Sequence, residues 1–252
     1  MTGGGNWTWL IQGRAPTLID AGTGDPRHLD SVAAALGDAT LFQVLVTHGH
    51  SDHASGVTAI AARMPRARFL KMPWPGRDDM YPVSWRPLAD NDVVQAGDTS
   101  LLALHTPGHA PDHVCFFHEE TRSLFCGDLV QRGGTIWIPG NEQGDVAAYI
   151  TSLERALALD PARVFPAHGP VIDEPVRLLR SYIDHRRERE EQVLDALRHG
   201  DSTPEAMTTR IYRGLKEALL PLARESVTAH LRKLEREGRA RHEGDAWHII
   251  EP

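Results

Sequence analysis

Cysteine is scarce in this 252-residue chain, which holds two. Two thiols cannot form the disulfide framework of a small secreted domain, so a reducing compartment and a cytoplasmic protein are expected. Long apolar runs are missing as well. No stretch approaches the ~18 uninterrupted apolar residues of a membrane-spanning helix, which excludes a spanning segment and a membrane partner. Met1 to Asn6 is polar and glycine-rich, with neither a charged start nor an apolar run, so no secretory signal is expected there. There is no internal repeat and no low-complexity tract. Positive charge is also short. Residues 1–174 carry 12 Lys and Arg against 20 Asp and Glu (−8), residues 175–252 carry 15 against 14 (+1), and the sum is the formal −7. An acidic first part attracts a polyanion poorly, so any nucleic-acid role must rest on a local basic patch. Bound divalent metal would offset part of that acidity.

At roughly 100–200 residues per domain, the length fits a larger and a smaller unit. The first, residues 1–174, reads as α/β. Trp7–Ile11 and Thr17–Asp20 are predicted strands around a Gly13/Pro16 turn, and Leu29–Leu36 is a short alanine-rich helix ending at Gly37. Leu41–Val46 has the apolar β-branched pattern of a buried strand, and Ala54–Met64 the pattern of a helix. Further strands are predicted at Arg68–Leu70, Leu101–His105, Val114–Phe117, Ser123–Cys126 and Arg163–Phe165, with a proline-rich loop over Met72–Val83. Asp145 is placed to cap a helix that runs to about Leu159. Residues 175–252 have a different texture. Val176, Leu179, Ile183, Val193, Leu194 and Leu197 recur at helical spacing, interrupted by the charged run His185–Glu191, and Gly200 ends that helix. A second helix starts at Thr203-Pro204-Glu205, a third covers Glu225–Glu237, and Arg239–Ile250 reads as a hairpin turning at Glu243-Gly244-Asp245. Three helices followed by a two-stranded wing make a winged-helix arrangement.

Histidine is plentiful at 14 residues, and its placement carries the chemistry. Directly after the Leu41–Val46 strand stands Thr47-His48-Gly49-His50-Ser51-Asp52-His53. In an extended segment His48 and His50 point to one side and can grip one ion, while Asp52 and His53, where a helix begins, can hold a second. Three further strand ends each deliver one donor: Thr106-Pro107-Gly108-His109, Cys126-Gly127-Asp128 and Pro166-Ala167-His168-Gly169. The chain thus offers five imidazoles and two carboxylates. That set suits two metal ions with three ligands each, one bridging carboxylate and a position left for water.

In this order, Thr-His-x-His-x-Asp-His, Thr-Pro-Gly-His, Gly-Asp and His-Gly resemble the metallo-β-lactamase superfamily, over Asn6 to about Ile172. The resemblance implies an αβ/βα sandwich, with one metal on His48, His50 and His109, a second on Asp52, His53 and His168, and Asp128 bridging. It also implies a metal-bridging hydroxide as nucleophile, which Asp52 orients as a catalytic residue. Two Zn2+ ions are expected, with Fe or Mn as substitutes because every donor is nitrogen or oxygen. Thr106-Pro-Gly-His-Ala-Pro-Asp-His-Val, Ala167-His-Gly-Pro-Val-Ile, Tyr182-Ile-Asp-His-Arg-Arg-Glu-Arg-Glu-Glu-Gln and the tail Leu231-Arg-Lys-Leu-Glu-Arg-Glu-Gly resemble the beta-lactamase-like protein 2 family over nearly the whole chain. Members of that family in animals cleave single-stranded RNA, and related fungal proteins are thioesterases acting on carrier-bound polyketides. Glyoxalase II enzymes share the metal motifs but differ in their C-terminal part. Family chains carry a further strand and an Asn-Pro-Gly-Pro-like segment upstream, so the resemblance implies that this chain starts late, that a sheet edge is left exposed, and that Asn6 and Trp7 lie near the mouth of the metal site.

The remaining candidates are weaker. His113 is a substrate or outer-sphere candidate whose competing reading is a structural histidine. Trp137 and Trp74, both on predicted loops, are the best substrate-groove candidates among the tryptophans, which otherwise pack cores. Cys115 and Cys126 fall on facing strands and read as buried free thiols. The third tail helix and its following strand hold Arg224, Arg232, Lys233, Arg236, Arg239 and Arg241 against Glu225, Glu235 and Glu237, which fits a phosphate-contacting surface, a solvated charge-laced helix, or an interface over the metal cleft. Three functions follow: hydrolysis of a small-molecule or carrier-bound ester or thioester, cleavage of single-stranded RNA, and a winged-helix regulator with a metal-sensing domain. The full set of seven donors speaks for the enzymes, and β-lactamase activity itself is not expected.

Overall fold

Strand alternation builds the layers. A computed structural model describes residues 5–141 and 143–250. One sheet has the order β1 (Trp9–Ile11), β2 (Thr17–Ile19), β3 (Gln43–Leu45), β4 (Arg68–Lys71), β5 (Trp85–Pro87). The other has the order β10 (Arg163–Pro166), β9 (Ser123–Gly127), β8 (Val114–His118), β7 (Thr99–His105), β6 (Val93–Ala96). In the first sheet Leu18, Val44 and Phe69 are cross-strand neighbours and face outward onto α1 (Pro26–Leu36) and α3 (Val57–Arg63). Their chain neighbours Ile19, Leu45 and Leu70 face inward. In the second sheet Ala103, Phe116 and Phe125 form the inward row, while Leu102, Phe117, Leu124 and Val164 face α4 (Val146–Ala158) and the first half of α5 (Pro175–Arg198). A period of two therefore sends alternate residues into two different cores, and the result is an αβ/βα sandwich.

Strand direction then gathers the loops. β2, β3, β4 and β5 are parallel, so the chain leaves each of them at the same end. β7 and β9 both pair antiparallel with β8, and β10 runs parallel to β9, so β7, β9 and β10 also share a direction. Functional loops of such sheets sit beyond the carboxyl ends of the strands.

Several boundaries differ from the sequence expectation for identifiable reasons. α1 starts at Pro26 rather than Leu29, because Asp25 accepts from Arg27 N (2.8 Å) as its cap and proline is tolerated in a first turn. Ala54–Met64 is not one helix. α2 (Ser51–Ala54) and α3 are separated where Ala21 N bonds His53 O (2.8 Å) and Gly56 N bonds Gly22 O (2.9 Å), tying the bend to the loop after β2. β5 and β6 were not foreseen: β5 is an edge strand containing a proline, and β6 is short. β1 forms the opposite edge of its sheet. Cys115 and Cys126 are buried free thiols on paired strands, as expected, with burial pushing Cys115 up to about 12.

The tail consists of α5, α6 (Pro204–Ile211), α7 (Leu220–Arg236) and the hairpin β11 (Ala240–Glu243) and β12 (Ala246–Ile249), which turns at Gly244 and Asp245. α7 begins five residues before the expected Glu225, with Pro221 in its first turn. The charged run His185–Glu191 does not interrupt α5, because two of its charges are buried with partners. Arg186 lies over the Tyr149 ring (5.1 Å) and bonds Thr135 and Ile136 through one terminal nitrogen, though its Nε has no partner among the described residues. Glu190 is paired with Lys233 and Arg239. α7 is also docked, since the Glu225 carboxylate accepts from Gly140 N (2.9 Å) and Arg236 pairs with Asp145. None of the described helices is long and apolar enough to cross a membrane.

Phe116, fully buried between the sheets, is expected to cost about 3–5 kcal/mol when truncated to alanine. Denaturant unfolding measures this, and a change under about 1 kcal/mol would contradict the packing described.

Candidate metal centre

Four strand ends bring the donors together. The loop after β3 supplies His48 and His50, and α2 follows at once with Asp52 and His53 in its single turn. The loop after β7 supplies His109, that after β9 supplies Asp128, and that after β10 supplies His168. Glycine is required at two of these turns. A side chain on Gly127 (φ +48°) would strike His113 Nε2 and the Thr47 side chain within 3 Å, and one on Gly108 (φ +136°) would strike the Tyr149 backbone.

Four of the five donor rings are oriented from their far side. His53 Nδ1 donates to Asp20 Oδ2 (2.8 Å), and His109 Nδ1 to the Trp137 carbonyl (2.8 Å). His168 Nδ1 donates to the Gly5 carbonyl (3.1 Å). Thr47 Oγ1 donates to the Asp20 carboxylate (3.0 Å) and so accepts from His48 Nδ1 (3.1 Å). These outer acceptors assign the proton to Nδ1 in four imidazoles and turn four Nε2 lone pairs inward. His50 presents Nδ1 instead, 3.0 Å from both His48 Nε2 and His109 Nε2.

The inward atoms form overlapping sets, each with all donors within 4.8 Å of one another: His48, His50 and His109; Asp52, His53 and His168; and His48, His53 and Asp128. Asp128 lies between the first two. Its Oδ1 is 3.3 Å from His168 Nε2 and 3.6 Å from His53 Nε2, and its Oδ2 is 3.5 Å from His109 Nε2. His53 Nε2 and Asp128 Oδ1 are buried with no hydrogen-bond partner among the described residues. Buried polar atoms without partners are costly, and nitrogen and oxygen lone pairs converging on one point call for a cation. The donor set fits one or two borderline divalent metals.

The electrostatics agree. Burial drives His48 well below its ordinary value and His50 down to about 3, so this group stays neutral. Burial also works against charge on His53 and His168, yet carboxylates reverse it: Asp20 and Asp128 hold His53 well up, and the neighbouring Asp128 and Asp52 raise His168 to about 10. Asp128 stays ionised well below the carboxylate range despite its burial, chiefly through His53. Protons thus balance the same carboxylates that a cation would neutralise.

Several supporting residues escaped the sequence reading. Asp20 takes a left-handed φ of +61° just past β2, which lets one carboxylate receive Thr47 N (2.8 Å), Thr47 Oγ1 and His53 Nδ1. Its only sequence signal is an acidic residue closing an apolar strand. Gly49, between the two donor histidines, is clamped on both sides. Its N–H goes to Asp112 Oδ2 (2.8 Å), and its carbonyl receives Tyr81 Oη (2.9 Å) and Arg77 Nε (2.8 Å). Buried Lys71 pairs with both Asp112 (2.8 Å) and Asp78. From α5, Tyr182 Oη bonds Gln131 O (2.8 Å) and Gly134 O (2.9 Å), and Arg186 bonds Thr135 Oγ1 (3.0 Å) and Ile136 O, pinning the loop whose Trp137 carbonyl orients His109. The Tyr182 and Arg186 spacing stood in the quoted motif, but its target could not be read there.

The other candidates separate. Trp137 is 38% exposed and lines a cavity of about 310 Å3 over the donors, together with Ile136 and Arg77. Trp74 stacks edge-on to His50 at 6.1 Å. Of the readings for His113 only the substrate one is corrected: the ring is fully buried behind the site, bonded to Thr106 Oγ1 (2.8 Å) and receiving Asp128 N (3.1 Å), which is an outer-sphere and structural place with neither nitrogen free for a substrate. Asn6 does lie at the site, donating to the Asp52 carbonyl, and Trp7 Nε1 bonds Gly169 O (2.9 Å). A larger groove of about 950 Å3 between α7, the hairpin and Asp145 contains no donor cluster among the described residues, and its Arg236 and Glu205 are paired with Asp145 and Arg224.

Asp20→Asn keeps the size but loses the charge and one acceptor role. Metal affinity is expected to fall about 10–100-fold with the fold retained, measured by chelator competition. Unchanged affinity would remove Asp20 from the account.

Comparison with known proteins agrees with this geometry. Residues 1–168 match the family model of the metallo-beta-lactamase superfamily, and residues 203–247 match the beta-lactamase associated winged helix domain. A beta-lactamase-like protein 2 homolog of Drosophila melanogaster is 34% identical over 96% of this chain and 86% of its own length. An atrochrysone carboxyl ACP thioesterase of Aspergillus chevalieri is 35% identical over 77% of this chain, which spans 61% of that protein. A metallo-beta-lactamase family protein from Thermus thermophilus superposes with a TM-score of 0.79 at 21% identity, covering 96% of this chain and 93% of its own. The chain belongs to the metallo-beta-lactamase superfamily of hydrolases, with a winged-helix domain at its C-terminal end.

Proposed function

We propose that the protein hydrolyses an ester or thioester of a small-molecule or carrier-bound acyl group at a binuclear metal centre. His48, His50 and His109 would hold one ion, Asp52, His53 and His168 the other, and Asp128 would bridge. Divalent metal held there, zinc or in its place iron or manganese, supplies a polarising charge for the carbonyl and water acidic enough to ionise near neutral pH. The observation that carries this reading is the convergence of seven donors at the floor of a small cavity.

The chain's own groups have separate tasks. Burial works against the charge on Asp52, but His168 and His53 together bring it down to about 2, so it stays a carboxylate facing the cavity. That carboxylate can orient the attacking water while serving as a ligand. Ile136 and Trp137 form an apolar wall for the acyl part, and Gln131 and Thr135 add polar contacts beside it. The hydrolase unit, residues 1–174, is closed behind by α5 of the 175–252 tail. Resemblance to a thioesterase supports thioester chemistry.

The RNA and regulator readings lose their basic surface. Of the six basic side chains on that surface, Arg224, Lys233, Arg236, Arg239 and Arg241 are each paired with a carboxylate, Arg232 alone is not, and α7 packs on the hydrolase unit. A winged helix whose third helix is occupied in this way serves as a structural support.

Metal-loaded protein is expected to turn over an acyl thioester and to leave labelled single-stranded RNA intact at two salt concentrations. His50→Ala and Asp128→Ala should lose at least about 100-fold in kcat/KM together with bound metal. RNA cleavage without thioester turnover would overturn the reading.

A further inference from the structure

Among the described residues that line the cavity, Arg77 carries the only permanent positive charge. Two contacts hold its side chain in place. Its Nε donates to the Gly49 carbonyl (2.8 Å), and its guanidinium lies over the Trp74 ring at 5.7 Å. Neither contact neutralises it, and no carboxylate lies within salt-bridge distance of it among the described residues.

Two acids beside Arg77, Asp78 and Asp112, are already engaged. Asp78, the next residue, gives its carboxylate to Lys71 and to Trp74 N (2.7 Å). Asp112, packed around the same Gly49, pairs with Lys71 and Gly49 N. Lys71 therefore absorbs the negative charge that would otherwise quench Arg77. Asp52 and Asp128, across the cavity, face the histidine donors. What remains is a half-buried guanidinium with its two terminal nitrogens free, next to the donor cluster, and guanidinium forks match carboxylate and phosphate oxygens two at a time.

We propose that Arg77 binds an anionic group of the substrate, a carboxylate or phosphate, and makes the enzyme selective for acidic thioesters over neutral ones. This rests on the hydrolase reading of the metal centre. The anion would sit at the Arg77 and Trp74 end, with the apolar part of the substrate against Ile136 and Trp137. Two sources share this chemistry, an acidic substituent of the acyl group and the phosphate of a pantetheine arm.

The test measures preference ratios, which a common loss of activity cannot mimic. Metal-loaded wild type, Arg77→Met and Arg77→Lys are assayed on the N-acetylcysteamine thioester of glutarate against that of its monomethyl ester. The methylglutaryl thioester is then compared on phosphopantetheine and on pantetheine. Wild type is expected to favour the anionic member of at least one pair by about 10–100-fold in kcat/KM, the size of a charged hydrogen bond. Arg77→Met should abolish that ratio through KM, and Arg77→Lys should restore part of it. The favoured pair identifies the source of the anion. A ratio near one in wild type, or the same ratio in all three proteins, overturns the proposal. Calorimetric titration with glutaramate against glutaramide, and with phosphopantetheine against pantetheine, separates the two levels. If no thioester is turned over but the anions bind tighter to wild type than to Arg77→Met, the hydrolase reading fails and the anion site stands. If the anions bind no tighter than the neutral probes, the anion site fails.

Discussion

Four of the seven donors in the metal centre depend on a bond made on the side of the ring facing away from it. Asp20, Thr47, the Trp137 carbonyl and the Gly5 carbonyl take the outer protons of four imidazoles and leave the inner nitrogens bare. Without those acceptors the rings would be free to rotate or to take the other tautomer, and no inward lone pair would be assured. The arrangement is costly in isolation, since each buried polar atom left without a partner costs about 1–3 kcal/mol. The apolar clusters between and outside the two sheets provide the burial that holds such a site in place.

The sandwich also explains why the cluster exists. Strand direction places the ends of β2, β3 and β4 along one edge of the first sheet, and the ends of β7, β9 and β10 along one edge of the second. Face-to-face packing brings those two edges together over the shared core of Ile19, Leu45, Ala103 and Phe116. Donors from different loops then meet although they stand up to 116 residues apart in the chain, as Asp52 Oδ2 and His168 Nε2 do at 3.5 Å.

The tail is part of the same device. α5 meets the hydrolase unit with Tyr182 and Arg186 one helical turn apart, and meets the winged helix with Glu190 a further turn on. One helix face thus joins the loop that orients His109 to the docked α7. Within that charged stretch Arg186 and Glu190 are buried polar joints, while Arg187, Glu188 and Glu191 are exposed.

By itself the sequence determined the donor types, their order and their spacing, because metal chemistry restricts residue identity and strand ends restrict position. It also determined the layered α/β class and the winged tail, since periods of 2 and 3.6 are local properties. It could not show Asp20, Asp112, Lys71 or Arg186 at work, nor that His113 is shut off from substrate. Those roles depend on what lies across the sandwich from each side chain, and a chain read in order carries no distance between residues far apart. Only tertiary packing decides which charges are neutralised and which, like Arg77, are left facing the cavity.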